Sequence, residues 1–467
     1  MTFKSTLLFF FIFVFAGIVQ AQTWDKVDCG SEFAVALRSD GTLWSWGFNG
    51  NGQLGHGDLD QQIIPIQIES DTDWMDFSCG AFHVVAIKTD GSLWSWGFNG
   101  GGQLGNNSTD DQWSPVFVSD SHEWVKVDCG QAHSMAIDSD GGLWGFGYNF
   151  YGQLGSGDET DLLVPTQIGI ATDWAEVSSG GLHTQAIKTN GTLWGSGYNF
   201  SGQLGVSTNE NISEFEQIGT DNTWEEISAG FEFSIGRKAA GTIWSWGFNG
   251  NHQLGQANTI ALNSPTQIGN STFWSSISAG GSFAFGIQTD GKLYGWGYNG
   301  SGQLGNNNLI DQTTPIQIET DTDWASIVAA EGALIGQSVI GVFALGLKEN
   351  SETICASGSN FNGQLGNDSN DDSSVFLCES GIVDVDELAF SDENLSIFPN
   401  PSTDIINIVS QRSDFNFELY NSQGQLVSAG RSINTQYQLD VRSLDAGIYT
   451  LSIAKEDSRL SKKILVY

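Results

Sequence analysis

Residues 81–105 read AFHVVAIKTDGSLWSWGFNGGGQLG, and the Gln-Leu-Gly that closes this stretch recurs seven times along the 467-residue chain. Gln53, Gln103, Gln153, Gln203, Gln253 and Gln303 stand fifty residues apart, and Gln364 follows after one longer interval. A tryptophan opens each unit, at Trp24, Trp74, Trp124, Trp174, Trp224, Trp274 and Trp324. Alternation with period two and Gly-rich turns mark each unit as four short strands. In the first unit strand A covers 24–29, strand B 33–38, strand C 42–48 and strand D 63–68, with Asp40-Gly41 as a tight B–C turn. Seven such tandem units predict an all-β fold in which a closed seven-bladed β-propeller is followed by a small β-sandwich.

Aromatic residues fill the repeat in register. Sixteen of the seventeen tryptophans occupy the positions of Trp24, Trp44 and Trp46, and only Trp113 lies elsewhere. Rings at equivalent strand positions fill the wedge between blades, so these tryptophans, Trp44 and Trp94 among them, are read as buried core. An asparagine recurs at Asn49, Asn99, Asn149, Asn199, Asn249, Asn299 and Asn360. A short amide at a strand end caps turn backbone, which gives it a structural role.

The ends differ from the repeats. Lys4 precedes an apolar run over 7–19, and Val19-Gln20-Ala21 offers a cleavage site, so residues 1–21 read as a secretory signal peptide. Residues 22–380 form the propeller, 381–394 an acidic linker, and 395–467 a domain of separate composition without tryptophan. The net charge is −37, yet beyond Leu395 seven basic residues balance seven acidic ones, so the excess lies upstream. That sign excludes nucleic acid and anionic membrane surfaces as partners.

The units match the regulator of chromosome condensation repeat, and 24–378 resembles that family almost throughout, unit seven departing most. The resemblance implies a seven-bladed propeller. The family's namesake exchanges nucleotide on a nuclear GTPase, while other members simply bind proteins, one of them a secreted bacterial inhibitor of β-lactamases. An exported chain does not meet a nuclear GTPase, so exchange activity is not carried over. The tail resembles the type A C-terminal sorting domain of type IX secretion, through Pro399, Asn400 and Pro401, then Gly424, then Gly447 and Tyr449, then Lys462 and Lys463. It implies export to the surface or medium and engagement of the outer-membrane secretion machinery.

No catalytic motif appears, and no cofactor or metal site is expected. His83, His133 and His183 share one position in adjacent units, too far apart for one zinc, and read as packing residues. Cys29, Cys79 and Cys129 read as small buried thiols, whereas Cys355 and Cys378 fall on successive strands and are expected to form a disulfide. The A–B and C–D loops emerge on one face of a four-strand meander, and there the units disagree. Phe82, Phe150, Tyr151, Phe200, Phe231, Glu232 and Phe361 lie in those loops and are expected to be exposed partner contacts. The expected function is a monomeric, non-enzymatic scaffold for an extracellular protein. A glycan-binding adhesin is the alternative, and a hydrolase with an unrecognised site comes third.

Overall fold

The computed structural model describes residues 23–335, 338–340, 342–349, 353–378, 395–398, 405–410, 415–421, 426–432, 436–442, 444, 447–455 and 458–466. The proposed signal peptide, the acidic linker and the sorting-motif residues Pro399, Asn400, Pro401 and Gly424 lie outside them. The chain divides into two compact units, Met1–Ile382 and Val383–Tyr467.

Seven four-stranded antiparallel sheets make up the first unit. Blade 1 contains strands Trp24–Cys29, Phe33–Arg38, Leu43–Gly47 and Gln62–Gln67, here called A to D, and the pattern repeats to blade 7. Strand B is fully buried in blades 1 to 3 and buried in all but its last one or two residues in the other four, while strand A alternates. Strand D is half-exposed at the rim. This gradient follows from the ring: inner strands are covered by neighbouring blades and the outermost strand is not. Strand A of each blade lies against strands A and B of the preceding blade, and blade 1 lies in the same way on blade 7. Among the described residues the ring closes without strand exchange, blade 1 being built from residues 24–67 and blade 7 from 324–377.

Strand A carries a side-chain lock at six of the seven junctions. Cys79 N–H donates to Asp28 Oδ2 at 2.8 Å, Cys129 N–H to Ser78 Oγ at 3.2 Å, and Ser179 N–H to Asp128 Oδ2. Ser178, Ser228 and Ser278 serve Ala229, Ala279 and Ala329 alike. At the seam Val328 offers no acceptor, and Cys29 N–H turns to its neighbour Asp28 Oδ1. The seam instead packs Val328 against the cluster of Trp24, Trp46 and Phe343, and Trp46 Nε1–H donates across it to Gln364 O at 2.9 Å.

The histidines belong to the same framework. His83 Nε2 lies 2.9 Å from Ser134 Oγ, His133 Nε2 2.9 Å from Thr184 Oγ1, and His183 Nε2 2.9 Å from Ser234 Oγ. Each hydroxyl donates onward to a carbonyl, of Gln103, Gln153 or Gln203, so it accepts from the imidazole. Burial pushes all three imidazoles down to about 3, and their Nδ1 atoms have no partner. They are neutral inter-blade struts.

The second unit is a small sandwich. One sheet pairs Ile405–Ser410 with Leu395–Phe398 and Gln436–Asp440. The other orders Leu426–Ser432, Phe415–Tyr420, Gly447–Lys455 and Ser458–Val466. Ile406, Phe417, Leu439, Tyr449, Leu451 and Ile464 belong to one shared core. Tyr449 is thus a core residue, Gly447 opens a strand, and Lys462 and Lys463 lie on the last strand.

Candidate functional site

Strand C ends at Gly47, whose φ of 101° an L side chain would not tolerate, since a Cβ would sit 2.5 Å from Glu32 O. The glycine at this position keeps φ between 97° and 109° in all seven blades. The chain then leaves the sheet, and Phe48 N–H closes back onto Glu32 O at 2.9 Å. Asn49 locks the rest of the loop: its carbonyl accepts from Leu54 N–H at 3.0 Å and its amide donates to Asp58 O at 3.1 Å. All seven asparagines do this, as a capping residue should. The C–D loop is thus a rigid platform, and the side chains it lifts are positioned.

The position of Phe48 is aromatic in six of the seven blades, as Phe48, Phe98, Tyr148, Tyr198, Phe248 and Tyr298, all half-buried. In blades 1, 2, 5 and 6 the ring lies over a glycine two residues on: a Cβ at Gly50 would meet Phe48 Cζ at 2.4 Å, and one at Gly300 would meet Tyr298 Oη at 2.3 Å. Blades 3 and 4 carry Phe150 and Phe200 there, and the rings stand beside each other instead. Tyr148 stacks on Phe150 at 6.4 Å and 16°, and Phe150 meets Tyr151 edge-on at 5.0 Å. Tyr151 reaches Tyr198 of the next blade at 5.0 Å, and Tyr198 meets Phe200 at 5.0 Å. Five rings run in an unbroken ladder across two blades, with Phe150 58% and Phe200 63% exposed.

Carboxylates border this ladder. Burial, then the charge of Glu232 and Tyr151, holds the Tyr198 hydroxyl above its ordinary range, while Glu232 itself is pushed up by burial. Burial, Tyr151 and Asp161 do the same to Tyr148. Phe82 is half-buried and packs edge-on against Phe48 of the preceding blade at 6.4 Å. Phe361 is 79% exposed but stands in blade 7, which is not adjacent to the ladder.

Two expectations are corrected. Phe231 is not a surface contact but is buried, at 7% exposure. The second residue after strand A turns inward: Ser31, Ala81 and Glu331 are buried with it. Its ring covers Gly181, where a Cβ would lie 2.9 Å from it. Trp94 is half-buried rather than buried, because it lies near the start of strand C, paired with the rim strand, and meets exposed Phe117 at 5.8 Å. Trp44, by contrast, is buried. Tyr148 and Tyr198 are not among the expected contacts. Their signal in the sequence is an aromatic that immediately follows the glycine ending strand C.

The inner ring gathers charge. Lys26 pairs with Asp76 at 2.6 Å and Lys126 with Glu176 at 2.7 Å. Burial pushes Asp128 up to about 7 against the opposing Ser179 N–H, and Asp28 is raised by burial against Lys26. Glu331 is driven well above the carboxylate range by burial, with Asp128 and Asp28 adding, and among the described residues neither of its buried oxygens has a hydrogen-bond partner. Cys29, Cys79 and Cys129 are free and buried, with thiols pushed up by burial. Cys355 and Cys378 are joined in a disulfide. Among the described residues no group of His, Cys, Asp or Glu has the arrangement to hold a metal ion.

Known proteins share this architecture. The family model described as the RCC1-like domain matches residues 17–337. That of the secretion system C-terminal sorting domain matches 396–467, which marks the chain for export to the surface or medium. Among solved structures, human WBSCR16 superposes with TM-score 0.60 at 23% identity, covering 67% of this chain and 85% of that one. Prp20p of Saccharomyces cerevisiae, studied for its binding to Gsp1p and histones, gives 0.65 at 17% identity over 77% of this chain and 89% of its own. At these identities the likeness concerns the fold. The E3 ubiquitin-protein ligase HERC2 of Homo sapiens is 46% identical over 44 residues, 9% of this chain, so the chain spans about 1% of that relative's length.

Proposed function

The chain belongs to the RCC1-like domain family, and from that premise we propose that it is an exported, non-enzymatic scaffold that docks a protein partner on the A–B/C–D face of its propeller. The observation that carries the reading is the ladder of Tyr148, Phe150, Tyr151, Tyr198 and Phe200. Exposed rings on a rigid platform expose apolar area to water without adding to the core, and clustered aromatics are what protein interfaces use as anchors. The loop backbone is already fixed, so little ordering entropy is lost on binding. Glu232 borders the docking surface at Tyr198, and Phe82 lies apart from the ladder, in blade 2 against Phe48. Residues 1–21 direct the chain across the inner membrane, and 395–467 carry it through type IX secretion.

The experiment compares the mature chain with a Phe150→Ala/Phe200→Ala variant in capture of proteins from culture medium and neighbouring cells. Thermal stability should stay nearly constant, since both rings are more than half exposed. Affinity for the captured protein should fall by about 1–3 kcal/mol per true anchor. The same protein captured with equal affinity by both forms would exclude the ladder as the docking surface.

A further inference from the structure

On the opposite face, that of the B–C turns and D–A linkers, the blades share a second arrangement. The rings at the positions of Trp24 and Trp44 meet edge-on, and the last residue of strand B covers the pair. In five blades that residue is a cation. Arg38 lies 4.5 and 4.3 Å from its two ring centroids, Lys88 4.7 and 4.7 Å, Lys188 4.7 and 5.0 Å, and Lys238 4.4 and 3.7 Å. Lys348 covers Trp324 alone at 5.2 Å. A linker carboxylate fixes the lysine, as Asp173 does for Lys188 at 2.8 Å and Asp221 for Lys238 at 2.6 Å. Blade 3 exchanges the residue types, with Asp138 on the strand and His122 from the linker 3.6 Å away.

Blade 6 keeps Trp274 but departs at the other positions together. Gln288 replaces the cation, Ser271 and Phe273 stand where other linkers carry acids, and Tyr294 replaces the tryptophan. Gln288 Nε2 donates to Ser271 Oγ at 3.2 Å. The Trp274–Tyr294 centroids close to 5.2 Å, against 6.1 Å around Lys188 and 6.3 Å around Lys238. A cleft of about 300 Å³ opens beside this pair, bordered by Trp274, Tyr294, Gln288, Ser271, Asn270 and Thr314. The corresponding clefts at the two preceding junctions, of about 300 and 370 Å³, are bordered by Lys188 and by the Lys238–Asp221 ion pair.

We propose that the blade 6 cleft binds one neutral sugar unit of a glycan. A sugar ring presents an apolar C–H face and a rim of hydroxyls that both donate and accept. The aromatic wall suits the face, while the amides of Gln288 and Asn270 and the hydroxyls of Ser271 and Thr314 suit the rim. A charged ligand would be desolvated there without a counter-charge. A purely apolar one would leave the amides unpaired. The volume lies at the lower end of small-molecule sites, about 300–1,000 Å³, which limits the cleft to a single unit. The sibling clefts lack this selectivity because a guest there must displace or desolvate an ion pair.

The test uses the full mature chain titrated with maltohexaose, mannohexaose and chitohexaose. The decisive variant is Gln288→Lys/Ser271→Asp, which installs the ion pair that blade 5 already folds around, and Tyr294→Ala removes the platform. At least one oligosaccharide should bind the parent, and each variant should weaken it tenfold or more. Lys238→Gln should leave affinity unchanged, as should Phe150→Ala/Phe200→Ala, which separates this site from the docking ladder. No saccharide binding to the parent, equal binding to all variants, or displacement only by a peptide captured from a partner would overturn the proposal.

Discussion

Replacing Asp128 by asparagine should convert a pH-dependent propeller into a less pH-dependent one. The side chain is half-buried on strand A, and desolvation lifts the carboxyl from 3.8 to about 7. A raised acid binds its proton more tightly in the native state than in the unfolded chain. Between about pH 4 and pH 7 the native state therefore holds more protons, and stability falls as pH rises through that window. The difference of roughly three pKa units corresponds to about 4 kcal/mol, fully present as a penalty above pH 7 and absent below pH 4. Asparagine keeps an acceptor for the Ser179 N–H and carries no charge, so the penalty disappears while the inter-blade lock survives.

The assay is urea denaturation of parent and variant at half-unit steps from pH 4 to pH 8, monitored by tryptophan fluorescence. Only the difference between the two proteins is informative, because the buried histidines titrate in the same range with the opposite sign. Relative to the parent, the variant should gain up to about 4 kcal/mol between pH 4 and pH 8 and level off above pH 7. Part of that gain is relief of repulsion from Asp28. A constant difference across the range would refute the reasoning, since it would mean that Lys26 keeps Asp128 ionised throughout.

His133→Phe should protect against acid. The imidazole is held at about 3 against 6.5 when unfolded, so its stabilisation is lost as pH falls below 6.5. At pH 5 the variant should gain about 2 kcal/mol on the parent relative to pH 7, read as denaturation midpoints. Phe33, Phe233, Phe283 and Phe343 already fill the equivalent position elsewhere. Cys355→Ala/Cys378→Ala should destabilise the exported protein by about 3 kcal/mol, from the 23-residue separation the bond closes. Peptide mapping that finds both thiols free in secreted parent protein would contradict this.

The fold is legible in the sequence because the repeat averages over local accidents. One unit of alternating residues is ambiguous, but seven in register fix strand number, turn positions and ring closure together. The structural role of the asparagines is legible for the same reason, and each does cap its loop. The loop face is harder to read. Whether a loop residue faces water or the ring axis depends on the direction in which strand A ends, which period-two alternation does not encode past the last ladder pair. Phe231 is misplaced on that account, while Phe150 and Phe200, lifted by a rigid C–D loop, are not. Tyr148 and Tyr198 escape notice because their position is aromatic in most units and so looks structural.

Agreement among repeats is therefore an incomplete guide to role. The aromatic beside Gly50 is structural in blade 1, where it covers a glycine, and belongs to a surface ladder in blade 3, where a phenylalanine takes that glycine's place. The residue type is the same in kind, and only its neighbour has changed. Likewise Gln288 alone would read as a mild substitution for lysine. Taken with Ser271, Phe273 and Tyr294, it marks an ion-pair site that has lost both charges in concert. Losing the lysine alone would strand a linker acid, and losing the acid alone would leave a desolvated ammonium between two rings. Removing both avoids either penalty and leaves a neutral, aromatic-walled cleft. In a ring of near-identical blades, such compensated sets of differences locate candidate sites better than any single variable residue does.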